Sequence, residues 1–320
     1  MSWQSVFKSL AAAAILVPSF AGGALAEDAF LKIGTASMGG NFFPMGAAMA
    51  EVLGPQIKGY SFTPMATAGS AYNMTALQKG EQDIGLCQGS AVAAAVKGTG
   101  EFAGRKTDKV YAIAQYHSTP QHIVYNAKLS VKSLKDLKGK RIELMSPGDG
   151  IEVATKQILS AVGLSMKDVV GEHSGNRQQS SSRLKTGRMD AIIDGTGVGA
   201  AWMVDVIGEG RFKLLSLSPA EIEAIVTKNS EFSPATIPAK SYVGQDADVR
   251  TVANWTIVVV RAGLPDDLVY AMTKAMFENQ ADLAKRHTYF KDLRPENVKG
   301  GIAAPMHPGA LRYYKEKGIL

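Results

Sequence analysis

The sequence predicts an α/β fold with mostly parallel sheets, and three observations support this. Five short apolar segments are each followed by a glycine- or serine-rich loop and then by a stretch with helical periodicity. This alternation is typical of strands joined by crossover helices. The chain has 320 residues, enough for about two domains. Its 33 glycines follow no period, which excludes a collagen or solenoid repeat.

The five units share one strand–loop–helix order. In the first unit, Pro44 early in the helix and Gly54 past its end are ordinary helix boundaries. The predicted units are strand 30–34 with helix 42–53, strand 60–66 with helix 71–79, strand 83–87 with helix 91–97, strand 141–145 with helix 151–162, and strand 189–194 with helix 200–207. In such sheets ligands bind outside the carboxyl ends of the strands, and each helix start favours an anion. The five loops therefore predict one binding site.

The first 26 residues predict a secretory signal, so we expect a periplasmic protein. Lys8 precedes an apolar run of about eleven residues, and Ala24 and Ala26 supply the small side chains of a cleavage site after Ala26. No later apolar run reaches the length of a membrane span. The net charge of +6 is spread along the chain without a basic stripe, which argues against nucleic acid as a partner. The single cysteine, Cys87, excludes an internal disulfide and a cysteine-based zinc site.

Two nucleotide motifs are incomplete, so no cofactor is expected. The run from Gly34 to Gly39 resembles the start of a phosphate-binding loop, but Gly40 stands where that loop needs its lysine. The motif that begins at Gly195 matches the dinucleotide fingerprint. The acidic residue that the fingerprint needs about 20 positions on would be Glu221, which opens a helical pattern instead.

Catalytic and metal-binding patterns are equally poor, and we expect the protein not to be an enzyme. The five histidines lack any spacing typical of a metal site. Cys87 with a distant histidine, or Asp194, leaves an exported hydrolase as the rival class. His122 is predicted to be a structural group, whereas His117 ends a predicted strand and remains a candidate for the site.

Several segments, found in order along the chain, resemble one receptor family. These segments are 31–46, 69–73, 80–88, 133–141, 146–153, 234–238, 242–246 and 307–314. The first and the last of them are the most specific, and together the sequence resembles the TAXI family (TRAP-associated extracytoplasmic immunogenic proteins). These are soluble solute receptors of one class of TRAP transporter.

The resemblance implies a type II periplasmic-binding-protein fold, with two lobes and a hinge. We expect one lobe from 27–117 plus 255–320 and the other from 118–254, with crossing segments at 116–125 and 249–260. It further implies a monomer that binds a small organic acid, a carboxylate or amino acid of the glutamate or 2-oxoglutarate type, and delivers it to a TRAP membrane permease. A sensor subunit that docks on a membrane kinase stays open as an alternative.

Carried over by position, the resemblance implies a ligand site built from the loops. The implied residues are Thr35, Ser37, Gly39, Gly40, Asn41, Phe43, Ala68, Ser70, Asn73, Gln88, Ser90, Gly148, Asp149 and Gly150. His117, Asp194 and Gly195 complete the set of candidates. Asp149 would repel a carboxylate unless it is solvated, turned away or paired with an amine of the ligand. Arg177 either clamps a second carboxylate or lies on the lobe surface, and the sequence leaves both open.

Overall fold

The computed structural model describes residues 29–38, 40–208, 210–229, 231–300 and 302–320. The predicted signal peptide, 1–26, and the candidate Gly39 lie outside the described residues. Within the described part of the chain, no helix has the length and apolarity that crossing a membrane requires.

Ten strands form one sheet in the described part of the chain. They are β1 (Ala29–Gly34), β2 (Tyr60–Met65), β3 (Ile84–Gln88), β4 (Val110–Asn126), β5 (Arg141–Glu143), β6 (Val170–Glu172), β7 (Ala191–Gly195), β8 (Phe212–Leu214), β9 (Phe232–Ile237) and β10 (Val249–Arg261). The order is β2-β1-β3-β10-β4-β7-β5-β6, with β8 beside β4 and β9 beside β10. β1 pairs in parallel with β2 and β3, and β5 pairs in parallel with β6 and β7. The central strands β4 and β10 pair antiparallel with each other and with their neighbours β7 and β3.

The helices connect and cover these strands. They are α1 (Phe42–Leu53), α2 (Ser70–Lys79), α3 (Gly89–Lys97), α4 (Gly150–Ala161), α5 (Arg177–Lys185), α6 (Ala201–Gly208), α7 (Pro219–Lys228), α8 (Asp266–Glu278), α9 (Gln280–Arg286) and α10 (Pro308–Glu316). Short 3-10 turns lie at Gly54–Gln56, Gly100–Phe102, Leu134–Leu137, Thr288–Asp292 and Pro295–Gly300. The predicted α/β class and all five strand–loop–helix units are confirmed, with boundaries that differ by a few residues.

Glycine ends two of the helices behind the site for a clear backbone reason. Gly80 follows α2 and Gly98 follows α3, with φ of 74° and 68°, and their N–H groups bond to carbonyls of the last turn. A side chain is disfavoured in this left-handed region, so glycine is the usual residue there.

The apolar side chains form separate cores on the two sides of β4 and β10. Tyr116 and Val258 belong to a core with the N-terminal and C-terminal segments, and we call this side the first lobe. Ile123 and Val252, on the same two strands, belong to a core with the middle segment, the second lobe. The two long strands therefore run from one lobe into the other. The residue boundaries of the lobes given above stay predictions.

Candidate functional site

A cavity lies between the lobes, where the loops after the parallel strands meet. The volume that the centre of a water-sized sphere can occupy in this cavity is ≈ 50 Å³. It is lined by Ala36, Ser37, Gly40, Asn41, Phe42, Gly69, Ser70, Gln88, Thr119, Met145, Asp149, Ile151, Arg177, Gly195, Thr256 and Tyr289. Residues of both lobes supply the walls.

Five helices begin at this cavity, and they differ in whether a side chain caps the first turn. In the first lobe, α1, α2 and α3 carry no side-chain cap from any described residue. In the second lobe, the side chain of Asp149 caps α4, and the side chain of Asn176 caps α5. Backbone N–H groups of an uncapped first turn attract anions, whereas a capping side chain already satisfies some of them.

Arg177 and Asp194 form a buried ion pair in the second lobe. The guanidinium donates through Nη1 and Nη2 to the two carboxylate oxygens, with Nη2 3.1 Å from Oδ1. Asp194 is fully buried, and the guanidinium lies 4.4 Å from the centre of the Trp202 ring. Burial lowers the pKa of Arg177, and the charge of Asp149 opposes that shift. Of the two alternatives left open for Arg177, the structure does not support the lobe surface, because the side chain lines the cavity and is only 17% exposed.

Asp149 brings a carboxylate to the same cavity. Its Oδ1 accepts a hydrogen bond of 2.9 Å from the N–H of Ile151. Burial raises the pKa of Asp149, while this hydrogen bond and the positive charge of Arg177 act in the opposite direction. Gly69 of the first lobe lies opposite, with φ of +109°, and a Cβ there would stand 3.2 Å from Asp149 Oδ2. The close approach of the lobes at this point therefore needs glycine.

Neutral groups of the first lobe face the cavity from β3 and α2. Ser70 Oγ accepts a hydrogen bond of 3.1 Å from the N–H of Gln88. The Oε1 atom of Gln88 is buried and has no partner among the described residues. A Cβ on Gly150 would lie 2.8 Å from that oxygen, so the Gln88 amide reaches across to the start of α4. Gln88 therefore lines the cavity at the boundary between the two lobes.

Tyr289 connects the two lobes at the rim of the cavity. Its hydroxyl accepts hydrogen bonds from Asn41 Nδ2 at 2.9 Å and from the N–H of Gly197 at 2.7 Å. Its ring stacks on His117, with centroids 4.0 Å apart, and His117 Nδ1 lies 2.8 Å from Asp292 Oδ2. A Cβ at Gly197 would lie 2.7 Å from the Tyr289 ring. Tyr289 thus ties the ligand cavity to the contact between lobes.

The structure brings seven of the seventeen candidate residues to the cavity wall. These are Ser37, Gly40, Asn41, Ser70, Gln88, Asp149 and Gly195. Others lie behind the wall, where Asn73 Nδ2 holds the carbonyl oxygens of Thr35 at 2.7 Å and of Leu86 at 3.1 Å. The candidates outside the lining are Thr35, Phe43, Ala68, Asn73, Ser90, His117, Gly148, Gly150 and Asp194. Phe42 lines the cavity in place of its neighbour Phe43.

Sequence reasoning missed four lining side chains that come from outside the loop motifs, and Ile151, which lies within one of them. The four are Thr119, Met145, Thr256 and Tyr289. Thr119 and Thr256 lie on the long central strands, and Tyr289 lies in a 3-10 turn near the C-terminus. The aromatic residues of that turn were a possible signal, because aromatic side chains often line ligand sites.

The side chains named above for a rival hydrolase, Cys87 and Asp194, are inaccessible or occupied. The Cys87 thiol is fully buried, and burial raises its pKa far above the ordinary range, so it does not form a thiolate nucleophile. Both oxygens of Asp194 are held by Arg177. His122 donates through Nδ1 to Pro120 O and accepts from the Tyr242 hydroxyl, and burial lowers its pKa to about 4. Across the described ranges, no group of three or more His, Cys, Asp or Glu residues could hold a metal ion.

Comparison with known proteins identifies the family. A model of the NMT1-like family matches residues 33–318. The chain belongs to the NMT1-like family. Its fold is also similar to that of PhnD1 from Prochlorococcus marinus in complex with methylphosphonate, with a TM-score of 0.56 at 12% identity, covering 91% of this chain and 99% of that one.

Two further solved structures share the fold of this NMT1-like protein. MatC from Rhodopseudomonas palustris with bound malate has a TM-score of 0.54 at 16% identity, over 91% of this chain and 96% of that one. An ancestral arginine-binding protein bound to arginine has a TM-score of 0.50 at 19% identity, over 82% and 97%. The predicted periplasmic-binding-protein type of α/β fold is thereby confirmed.

Proposed function

We propose that this protein is a periplasmic solute receptor of the TAXI type. It binds a small organic acid between its lobes, a carboxylate or amino acid of the glutamate or 2-oxoglutarate type, and delivers it to a TRAP membrane permease. It acts as a monomer and without a cofactor or catalytic step. The observation that carries the proposal is the convergence of five helix starts and Arg177 on one cavity enclosed by both lobes.

The first-lobe helices are the proposed seat of the ligand carboxylate. The starts of α1, α2 and α3 have no side-chain cap, and Asn41, Ser70 and Gln88 add neutral polar groups beside them. At α2 the N–H of Ala71 already donates to the carbonyl oxygen of Gly148 at 3.1 Å, so α1 and α3 are the freer helix starts. Anions bind well at such helix ends because N–H groups and the helix dipole act together. A guanidinium has five N–H groups. Asp194 engages two nitrogens of Arg177, so further donors of that side chain serve the ligand.

The charge balance of the cavity favours an acid that also carries an ammonium group. Arg177 and Asp194 neutralise each other, which leaves Asp149 as the remaining charged side chain of the lining. A carboxylate in water-poor surroundings needs a partner of opposite charge or a proton. The ammonium of an amino acid supplies that charge, whereas a 2-oxo acid requires Asp149 to be protonated. Amino acids are therefore the preferred members of the proposed ligand class.

A thermal-shift screen followed by calorimetry tests the receptor proposal. The screen would use mature protein with glutamate, 2-oxoglutarate, other amino acids and mono- and dicarboxylates. A ligand at a hundred times its Kd should add about 2.7 kcal/mol to the free energy of unfolding. Stabilisation by an acid, with the acid recovered unchanged, supports the receptor. No stabilisation by any acid, or recovery of a chemically altered compound, contradicts it.

Delivery to a permease needs a separate measurement. Vesicles that contain a TRAP permease from the same cell should take up the labelled acid only when this protein is added. Uptake that is unaffected by the protein contradicts the transport partner, and a phosphorylation response of a membrane kinase would favour the sensor alternative instead.

A further inference from the structure

The enclosed cavity holds the head of an acid and little more. A water molecule needs roughly 10–15 Å³ of space measured for its centre. The ≈ 50 Å³ of the cavity thus correspond to a few water molecules, or to a carboxylate and its nearest atoms. Any larger ligand needs space that adjoins this cavity.

A second pocket, which we call the outer pocket, adjoins the cavity on the side of α5 and α6. It offers ≈ 830 Å³ between the β1–α1 loop of the first lobe and these two helices of the second lobe. Ser37 and Arg177 line both the cavity and the outer pocket. The two spaces are therefore neighbours along the same cleft, with Arg177 between them.

The walls of the outer pocket include apolar surface from both lobes. Met38 of the first lobe is 71% exposed and lines this pocket. Trp202 of the second lobe is half-buried and packs against the Arg177 guanidinium. Apolar surface on facing lobes gains contact when a ligand fills the space between them.

The charged groups of the outer pocket are paired with each other. Lys185 Nζ lies 2.6 Å from Asp205 Oδ1, and Arg177 is held by Asp194. The remaining polar side chains of the lining are neutral amides and hydroxyls, including Gln178 and Ser181. Paired charges leave no field that selects a second ionic group, so the pocket suits an uncharged group.

We propose that the outer pocket receives the uncharged, partly apolar tail of an organic acid whose carboxylate lies in the enclosed cavity. The proposal rests on the proposed receptor function and, within carboxylates and amino acids, favours members with an alkyl or aryl tail over those, such as glutamate, whose tail ends in a second charge. The tail passes Arg177 and packs between Met38 and Trp202. Because these residues belong to different lobes, tail binding also stabilises the closed arrangement.

The test is calorimetry with straight-chain monocarboxylates from acetate to octanoate and with phenylacetate and 3-phenylpropanoate. Affinity should rise about fourfold for each methylene that enters the outer pocket, as expected for burial of a CH₂ group. Met38→Ala should remove much of this gain and leave acetate binding unchanged, and Trp202→Phe should also reduce the gain. Val243→Ala, at a residue 70% exposed and outside both pockets, is the matched control and should change neither.

A variant that fills the outer pocket is an independent test, because it adds atoms to the pocket instead of removing them. Ser182 lines the outer pocket and is exposed, so Ser182→Trp should block the longer acids by at least about tenfold while acetate still binds. If acids of all lengths bind equally, or if both truncations and the filling variant leave the length dependence intact, the outer-pocket proposal is overturned. If amino acids of the thermal-shift screen bind but none of these monocarboxylates does, the outer-pocket proposal alone is overturned. If no acid of either set binds, the receptor proposal itself fails.

Discussion

The two faces of the cavity are built from different chemistry. The first-lobe face presents uncapped helix starts and neutral side chains, among them Asn41, Ser70 and Gln88. The second-lobe face holds the charged side chains of the lining, Asp149 and Arg177, and its helices are capped by Asp149 and Asn176. An acid can thus bind one face through backbone dipoles and meet compensated charge on the other.

Under the proposed function, the first-lobe face binds the anion and the second-lobe face determines which other groups the ligand carries. Helix starts and neutral donors hold an anion without a strong opposite charge, which favours a site that both binds and releases. The paired charges of the second lobe set which additional groups the ligand can carry. Changes on the second-lobe face should therefore affect stability and ligand choice, and changes on the first-lobe face should affect affinity.

The largest expected effect is loss of stability on breaking the ion pair of the second lobe. Arg177→Met keeps an unbranched side chain against Trp202 but leaves Asp194 buried without its partner. Such a change costs about 3–5 kcal/mol in the free energy of unfolding. Urea unfolding of the ligand-free protein measures it.

The double variant Arg177→Met with Asp194→Asn is the control for that loss. Removing both charges should restore a large part of the stability, because no unpaired charge remains in the interior. A loss below about 1 kcal/mol in Arg177→Met, or no recovery in the double variant, would show that the pair does not organise this face.

On the first-lobe face, Gln88→Ala should weaken binding of the acid by about 1–3 kcal/mol, because the ligand's buried polar group loses its partner. Stability of the ligand-free protein should change less than affinity, since Gln88 Oε1 has no partner among the described residues. Calorimetry measures the affinity. Gln78→Ala, whose amide bonds to the nearby Asp108 away from the cavity, is the matched control. Equal affinities in both variants would remove Gln88 from the site.

A smaller effect on lobe closure is expected from weakening the Tyr289 contact between the lobes. Tyr289→Phe keeps the ring on His117 but removes the acceptor for Asn41 and Gly197, at about 0.5–1.5 kcal/mol for each hydrogen bond. The closed form should become less populated, which small-angle X-ray scattering reports as a larger radius of gyration. Tyr270→Phe is the control, since that hydroxyl bonds Glu316 on the surface of the first lobe. An unchanged radius and affinity in Tyr289→Phe would contradict its role in closure.

The smallest expected effect is the dependence of stability on pH that the Asp149 carboxyl causes. Folding raises the pKa of this carboxyl through burial, so the folded protein holds the proton more tightly than the unfolded chain. The resulting stability is present below the unfolded pKa of about 3.9 and is lost as pH rises through the folded value. Asp149→Asn keeps an acceptor for the cap of α4 and should be more stable than the wild type at neutral pH.

Thermal unfolding of both proteins across pH 4 to 8 checks this, and the two melting temperatures should converge toward the acid end. A difference that is constant with pH would show that Asp149 does not titrate as described. The same variant should bind 2-oxoglutarate better, and glutamate worse, than the wild type, because the negative charge of Asp149 repels one and attracts the other.

The fold was predictable because local signals agree with the tertiary structure. Each unit combines an apolar strand, a small-residue loop and a helix that ends at a glycine, as Gly80 and Gly98 show. The long strands β4 and β10 also fall on the segments predicted to cross between lobes. Such signals depend on neighbours in sequence, so the chain itself carries them.

The site was predictable only where it lies in those loops. Ser70, Gln88 and Asp149 lie within four residues after predicted strands and line the cavity. Tyr289 reaches Asn41 from 248 positions away, and no local pattern specifies that contact. The role of Arg177 depends on its pairing with Asp194 and on burial against Trp202, which only tertiary packing determines.

The most direct test of the central claim is a crystal structure with the tightest-binding acid from the thermal-shift screen. The predicted result is a carboxylate within about 3.2 Å of backbone N–H groups at the starts of α1, α2 or α3. An ammonium group, where the ligand has one, should then face Asp149. A carboxylate bound to the second lobe alone, or outside the cleft between the lobes, would contradict the division of the cavity into an anion-binding face and a charge-compensated face.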